Sequence, residues 1–199
     1  MNILAERFNE LCSHYKDSCD INQATVKQRD TLFYILLAIL SLFIIHALYT
    51  DLFNSVAAEI LKKKTEVDLK DKIDLISTFL WVFIFGISSK YYQVAGIIEK
   101  QYEYIHALEE QLEKYYKNTP VFSREGKFYL NKYPAFSNWM WFLYTVVFPL
   151  LILSCMAFKA YTEIALVGFL NTKTIINISF GSFAGITTIL YMFRIHFKK

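Results

Sequence analysis

The side chains that could take part in chemistry are few in this sequence and widely separated. The four histidines, at positions 14, 46, 106 and 196, show none of the spacings that bring two imidazoles to one metal ion. No glycine-rich phosphate loop is present, and no serine or cysteine stands in a recognisable nucleophile motif. The three cysteines, at positions 12, 19 and 155, lack the paired spacing of a metal or redox site. We therefore expect no enzyme, no cofactor and no metal site.

One histidine stands apart because it falls inside an apolar stretch. His46 lies near the end of the uncharged run from Thr31 to Thr50. An ionisable group within a membrane span is by default a candidate for function. The alternative interpretation is that the ring of His46 only reaches the membrane interface.

The composition indicates a membrane protein. Of the 199 residues, 55% are hydrophobic and 18% aromatic, which is more than an ordinary soluble fold carries. The apolar residues are concentrated in four blocks, each about as long as the ~20 residues that cross a bilayer. We predict an all-α integral membrane protein with four transmembrane helices, at 31–50, 75–95, 138–158 and 174–193. Pro149 predicts a kink in the third span, and no acidic residue lies inside any predicted span.

The distribution of lysine and arginine predicts the orientation. Fourteen of these residues lie in the segments 1–30, 96–137 and 194–199 or at the adjoining span ends, and seven lie in the loops 51–74 and 159–173. Because cytoplasmic loops carry the excess of positive charge, we expect both termini in the cytoplasm. The net charge of +3 is small, and acidic and basic residues alternate through the polar stretches. We therefore expect no direct contact with nucleic acid.

Two polar segments show helical periodicity. Apolar or aromatic residues recur at the three-four spacing of a coiled coil after the second span, at Ile98, Ile105, Leu108, Leu112 and Tyr115. The second span is therefore predicted to continue into the cytoplasm as one long helix. The N-terminal segment is amphipathic as well and needs a partner surface. That partner is either the long helix, giving a small cytoplasmic bundle, or the inner leaflet of the membrane.

The fourth span is the most polar of the four and is the predicted contact between subunits. Asn177 is a hydrogen-bonding group within it, and Gly181 and Gly185 form a pair of small residues four apart that lets helices approach closely. Together with Ile98, Ile105 and Leu112 of the coiled-coil seam, these residues predict a homo-oligomer interface or a pore lining.

The segment before the third span mixes cations with aromatic residues. Arg124, Lys127 and Lys132 stand among phenylalanine and tyrosine residues there. This composition suits an anionic group such as a lipid headgroup or a nucleotide phosphate. The other interpretation is an ordinary membrane anchor, positive on the inside and aromatic at the interface.

The segment FSREGKFYLNKYPAFSNWMWF and the four-span layout carry a resemblance that covers the whole chain. The sequence resembles small four-span membrane proteins encoded beside bacterial antiviral systems, in particular the membrane accessory protein of Cas13b-type CRISPR loci and, second, the membrane subunit of the Kiwa system. The resemblance implies a membrane component of a defence module. It would be a homo-oligomer that senses or disturbs the inner membrane, or that modulates a cytoplasmic nuclease.

Two other functions are compatible with the same residues. One is a small ion channel or permeability-changing protein, and the other is a passive scaffold that docks a cytoplasmic protein partner on the long helix. In each case the lipid bilayer is a partner.

Overall fold

The computed structural model of the protein describes residues 3–65, 75–116 and 135–197, which are almost entirely helical and include no strand. α1 spans Ile3–Leu48, α2 spans Thr50–Thr65 and α3 spans Leu75–Tyr115. α4, Ala135–Phe142, leads through a π-helical turn, Leu143–Val147, into α5, Phe148–Val167. α6 spans Thr172–Phe197. The predicted all-α fold is confirmed.

Four helical stretches are long and apolar enough to cross a membrane. They are α1, α3, the continuous stretch from α4 to α5, and α6, and each overlaps one of the four predicted spans. The chain is therefore a multi-pass membrane protein. The predicted extension of the second span is also present, because α3 continues to Tyr115.

The helices are longer than the predicted spans, and at one place the difference matters. We expected a loop at 159–173, but α5 continues to Val167, so Lys159 and Glu163 lie on a helix. The helix continues because apolar residues follow Glu163, and it ends at Gly168, whose φ of 91° strains any residue with a Cβ atom. At the other end of the chain, the predicted N-terminal segment and first span form the single helix α1.

The helices divide into two compact units. The first, called the hairpin unit here, comprises Met1–Thr31 and Tyr91–Trp141. The second, called the bundle unit, comprises Leu32–Lys90 and Phe142–Lys199.

In the hairpin unit the first part of α1 packs along the last part of α3. Three contacts define their direction: Phe8 with Tyr115 at 5.3 Å between ring centroids, Tyr15 with Glu109 at 3.1 Å and Asn22 with Gln101 at 3.4 Å. Residue numbers rise along α1 as they fall along α3, so the helices are antiparallel. Two partners were possible for the N-terminal helix, and in the structure it packs against the long helix rather than being left for the membrane leaflet. The coiled-coil seam is the core of this unit, since Ile98, Ile105, Leu108 and Leu112 are all buried.

In the bundle unit apolar side chains from α1, α3, α5 and α6 form the interior. Its buried members include Leu36, Leu40 and Phe43 from α1, Trp81 and Ile84 from α3, Ile152 and Met156 from α5, and Ala184 from α6. Large apolar side chains are also exposed on the outside of the same helices, among them Phe79, Phe83, Leu150, Phe183 and Leu190. Helices that are apolar both in the interior and on the outer surface of a bundle are suited to a lipid bilayer.

A π-helical turn precedes the proline of the third span. Pro149 has no N–H, and its ring would collide with the carbonyl group four residues earlier in a regular α-helix. In the structure the N–H of Phe148 donates to the carbonyl of Leu143, five residues back, which widens the helix immediately before the proline. The third span thus contains the proline by forming a π-helical turn immediately before it.

At Gly181 the backbone of α6 lies close to a large side chain of the bundle unit. A Cβ atom at this position would lie 2.6 Å from Cζ3 of Trp81. The indole of Trp81 is itself buried, and it packs edge-on against Phe43 at 4.8 Å. The glycine therefore makes the space in which Trp81 sits. Gly185, one turn later, is different, because its Cβ would meet only Leu153, at 3.9 Å.

We expect Gly181→Ala to destabilise the protein and Gly185→Ala to leave it almost unchanged. The added methyl at position 181 must displace Trp81, and overpacking of this kind costs about 1–3 kcal/mol. Thermal unfolding of both variants in the same detergent measures the difference. Equal melting temperatures for the two variants would contradict the packing described here.

Candidate functional site: a buried ionic cluster

The interior of the bundle unit contains an ion pair. Lys159 and Glu163 lie one turn apart on α5, with 2.9 Å between Nζ and Oε1, and their side chains are only 2% and 9% exposed. An isolated charge transferred to such a place is very costly. The two charged groups must therefore pair with each other, and the surrounding residues must supply further hydrogen bonds.

Lys159 has its second partner on α1. Its Nζ lies 2.8 Å from Nδ1 of His46, and the histidine is 2% exposed. An ammonium group only donates hydrogen bonds, so beside a charged Lys159 the Nδ1 atom of His46 accepts and the ring proton is on Nε2. The ring of His46 also packs edge-on against Phe53 of α2, at 5.2 Å between centroids. His46 is thus part of the protein interior rather than a group at the surface.

Glu163 is held by donors from three helices. Besides Lys159 of its own helix, the donors are Ser77 Oγ and Trp81 Nε1 from α3, both to Oε1 and the latter at 3.2 Å, and Asn177 Nδ2 from α6, at 2.9 Å to Oε2. Hydrogen bonds to the charged form of a carboxylate favour that form. The six residues His46, Ser77, Trp81, Lys159, Glu163 and Asn177 are called the buried ionic cluster below.

The cluster lies close to one end of all four membrane-length helices. His46 is two residues before the end of α1, and Ser77 is two residues after the start of α3. Glu163 is four residues before the end of α5, which at 1.5 Å per residue is about 6 Å. A charge near a helix end is less costly in a bilayer than one at the centre, because water and headgroups are closer. This position makes a buried ion pair tolerable in a membrane protein.

The chemistry available to the cluster is the exchange of protons and the holding together of helices. Its polar groups point at one another. Within the described ranges no three histidine, cysteine, aspartate or glutamate side chains are grouped so as to hold a metal ion. No protein family, curated protein or solved structure matches the chain.

The residues predicted to join subunits are engaged within the single chain. Asn177 belongs to the buried ionic cluster, and Gly181 lies under Trp81. Ile98, Ile105 and Leu112 are in the core of the hairpin unit. These five positions offer no free surface to a second copy of the chain, because its own helices already cover them. Gly185 is half-buried, and Arg124, Lys127 and Lys132 lie outside the described residues.

Sequence reasoning singled out His46 and Asn177 but missed Lys159 and Glu163. It stopped the third span at Phe158 because a lysine follows, and it therefore found no acidic residue within a span. One signal was available. Lys159 and Glu163 are spaced one helical turn apart and are followed by four apolar residues before Gly168. Oppositely charged residues four apart in an apolar stretch can neutralise each other on one helix.

The ion pair predicts a strong energetic coupling between its two members. Glu163→Gln or Lys159→Met alone leaves a buried charge without its partner, which costs about 3–5 kcal/mol. The double variant removes both charges, so we expect it to lose much less stability than the two single losses added together. Unfolding of all three variants in one detergent gives the coupling energy.

Glu59 and Lys63 on α2 provide the matched control. They form a pair with the same four-residue spacing and 2.7 Å between charged atoms, but their side chains are 69% and 74% exposed. Exposed pairs of this type contribute little, so Glu59→Gln and Lys63→Met should have almost no effect. Additive losses in the buried pair, as in the exposed one, would show that the interior charges do not interact.

Proposed function

We propose that the protein is a non-enzymatic component of a bacterial inner membrane that acts as a sensor or effector in antiviral defence. Both termini would lie in the cytoplasm, as the distribution of lysine and arginine favours. The defence context is supported by the resemblance of the four-span layout and of the segment before the third span. The role of sensor or effector is supported by the buried ionic cluster.

The observation that carries this proposal is the number of helices that meet at one ion pair. Lys159 and Glu163 contact His46 of α1, Ser77 and Trp81 of α3, and Asn177 of α6. Neutralising Glu163 weakens its contacts with α3 and α6 at the same time, and neutralising Lys159 weakens the contact with α1. While the pair is charged, these contacts stabilise one arrangement of the helices. When the pair is neutralised, that arrangement loses stability relative to others. This is the property that a membrane switch requires.

Assembly is part of the proposal, although through other surfaces than the sequence suggested. The outward face of α6 carries exposed Ser179, Ser182 and Ile186 one turn apart. Small residues on such a face allow a second helix to approach. A homo-oligomer formed there would leave the cluster and the coiled-coil seam intact inside each subunit. The mass of the protein in nanodiscs, corrected for lipid, tests this, and a monomer would contradict it.

A passive scaffold is the second candidate, and the hairpin unit favours it. Tyr102, Tyr104, Tyr115 and Tyr116 are exposed along the end of α3. Exposed aromatic residues in a water-facing helix pair are suited to binding a cytoplasmic protein such as a nuclease. The two candidates differ in what they predict for the membrane, because a scaffold leaves its permeability unchanged.

Ion flux through reconstituted liposomes separates these possibilities. We expect wild-type protein to keep potassium-loaded liposomes tight and Glu163→Gln to release potassium, because the variant loses the contacts that close the bundle. Lys63→Met, a loss of one exposed charge on α2, should behave as wild type. Circular dichroism must show that each variant remains helical.

Three other results would lead elsewhere. Flux through the wild type would favour a small ion channel. A folded Glu163→Gln protein that remains as tight as wild type would favour the scaffold. Cells that produce the protein and plate phage as well as control cells would remove the antiviral part of the proposal.

A further inference from the structure

The hairpin unit has a cavity on one side of its two helices. Its volume is about 330 Å³, and it lies between the first part of α1 and the last part of α3. Small-molecule sites generally span roughly 300–1,000 Å³. The cavity is therefore large enough for a ligand of about the size of a mononucleotide.

The walls of the cavity are apolar. Ile105 is fully buried at its base, whereas Ile21 and Ile97 are 59% and 40% exposed beside it. The two exposed isoleucines belong to different helices, yet both line the same concave surface. Exposed apolar surface that is concave is typical of a binding site.

The charge of the cavity is opposite to that of its surroundings. The described residues of the hairpin unit contain ten aspartates and glutamates and six lysines and arginines. Among the lining residues, however, the only one of these four types is Lys100. No ion pair engages Lys100 within the described residues. Its ammonium group is therefore free to pair with an anion that enters the cavity.

An imidazole and a phenol complete the rim. His14 of α1 and Tyr104 of α3 lie edge to face beside each other at the rim of the cavity, with 6.3 Å between ring centroids. Tyr104 is 48% exposed, so part of its ring is open to a flat ligand. His14 can donate a second hydrogen bond to an anion beside Lys100. The cation, the donor and the aromatic surface thus surround one space.

We propose that this cavity binds a small soluble aromatic phosphate of the size of a mononucleotide. Lysine binds phosphate as a point charge, and an aromatic ring with two isoleucines forms a flat apolar surface for a base. The phosphate lies on Lys100 and His14, and the ring of the ligand packs against Tyr104, Ile21 and Ile97. The inference stands independently of the proposed membrane function, since it concerns only the hairpin unit.

The test is equilibrium binding of a fluorescent nucleotide to the full-length protein. N-methylanthraniloyl-ATP is titrated against the protein in nanodiscs of phosphatidylcholine, and fluorescence anisotropy is measured. We expect saturable binding that unlabelled AMP displaces. Lys100→Met should weaken it about tenfold or more, as the loss of a charge-assisted contact predicts. Lys114→Met is the matched control, because it removes the same charge from the same helix outside the cavity and should leave the affinity within about twofold.

A second variant guards against a misfolded protein. Ile97→Glu changes an exposed side chain and puts a carboxylate into the cavity, so the variant should remain helical by circular dichroism and lose nucleotide binding. Absence of saturable binding to wild type would overturn the proposal. So would equal effects of Lys100→Met and Lys114→Met, or displacement of the labelled nucleotide by glycerol 3-phosphate as effectively as by AMP. The last result would identify a site for a lipid headgroup rather than for an aromatic phosphate.

Discussion

The bundle unit depends on the neutralisation of one acidic and one basic side chain inside it. Glu163 accepts hydrogen bonds from Ser77, Trp81, Lys159 and Asn177, and Lys159 reaches His46. Apolar packing between membrane helices has little directional preference, because lipid solvates leucine as well as another helix does. Hydrogen bonds to a buried carboxylate are directional and are lost when a helix rotates. The ion pair therefore specifies which faces of the four helices point inwards.

The same interaction explains why Gly181 and Trp81 belong together. The indole N–H of Trp81 donates to Glu163, and the same ring lies so close to α6 that a Cβ atom at position 181 would be 2.6 Å from it, so a glycine is needed there. A small residue in a membrane helix is commonly taken to indicate an interface between subunits. Here it accommodates a side chain of the same chain, and the carboxylate determines where that side chain must lie.

A structural feature can be predicted from the sequence when the residues that determine it are close together along the chain, and it is missed when they are far apart. The four spans follow from local hydropathy and are confirmed. The stripe through Ile98, Ile105 and Leu112 predicts a buried surface, but its spacing is the same whether a second copy or α1 covers it. Burial of Lys159 and Glu163 depends on His46, 113 residues away, and on Ser77, 86 residues away. Only the tertiary structure brings these donors together, so a charged residue at the end of an apolar run was assigned to a loop.

The π-helical turn has a consequence for how the third span can be aligned and altered. A regular α-helix advances 100° per residue, and the turn at Leu143–Val147 contains in effect one residue more than that periodicity allows. A helical wheel drawn continuously from Trp139 therefore assigns Lys159 and Glu163 to a face about 100° away from their own. Loss of one residue from the turn would restore a single phase along the whole span. It would also bring the ring of Pro149 into collision with the carbonyl group four residues earlier, which the wider turn now avoids. The extra residue of the π-helical turn and the proline therefore depend on each other.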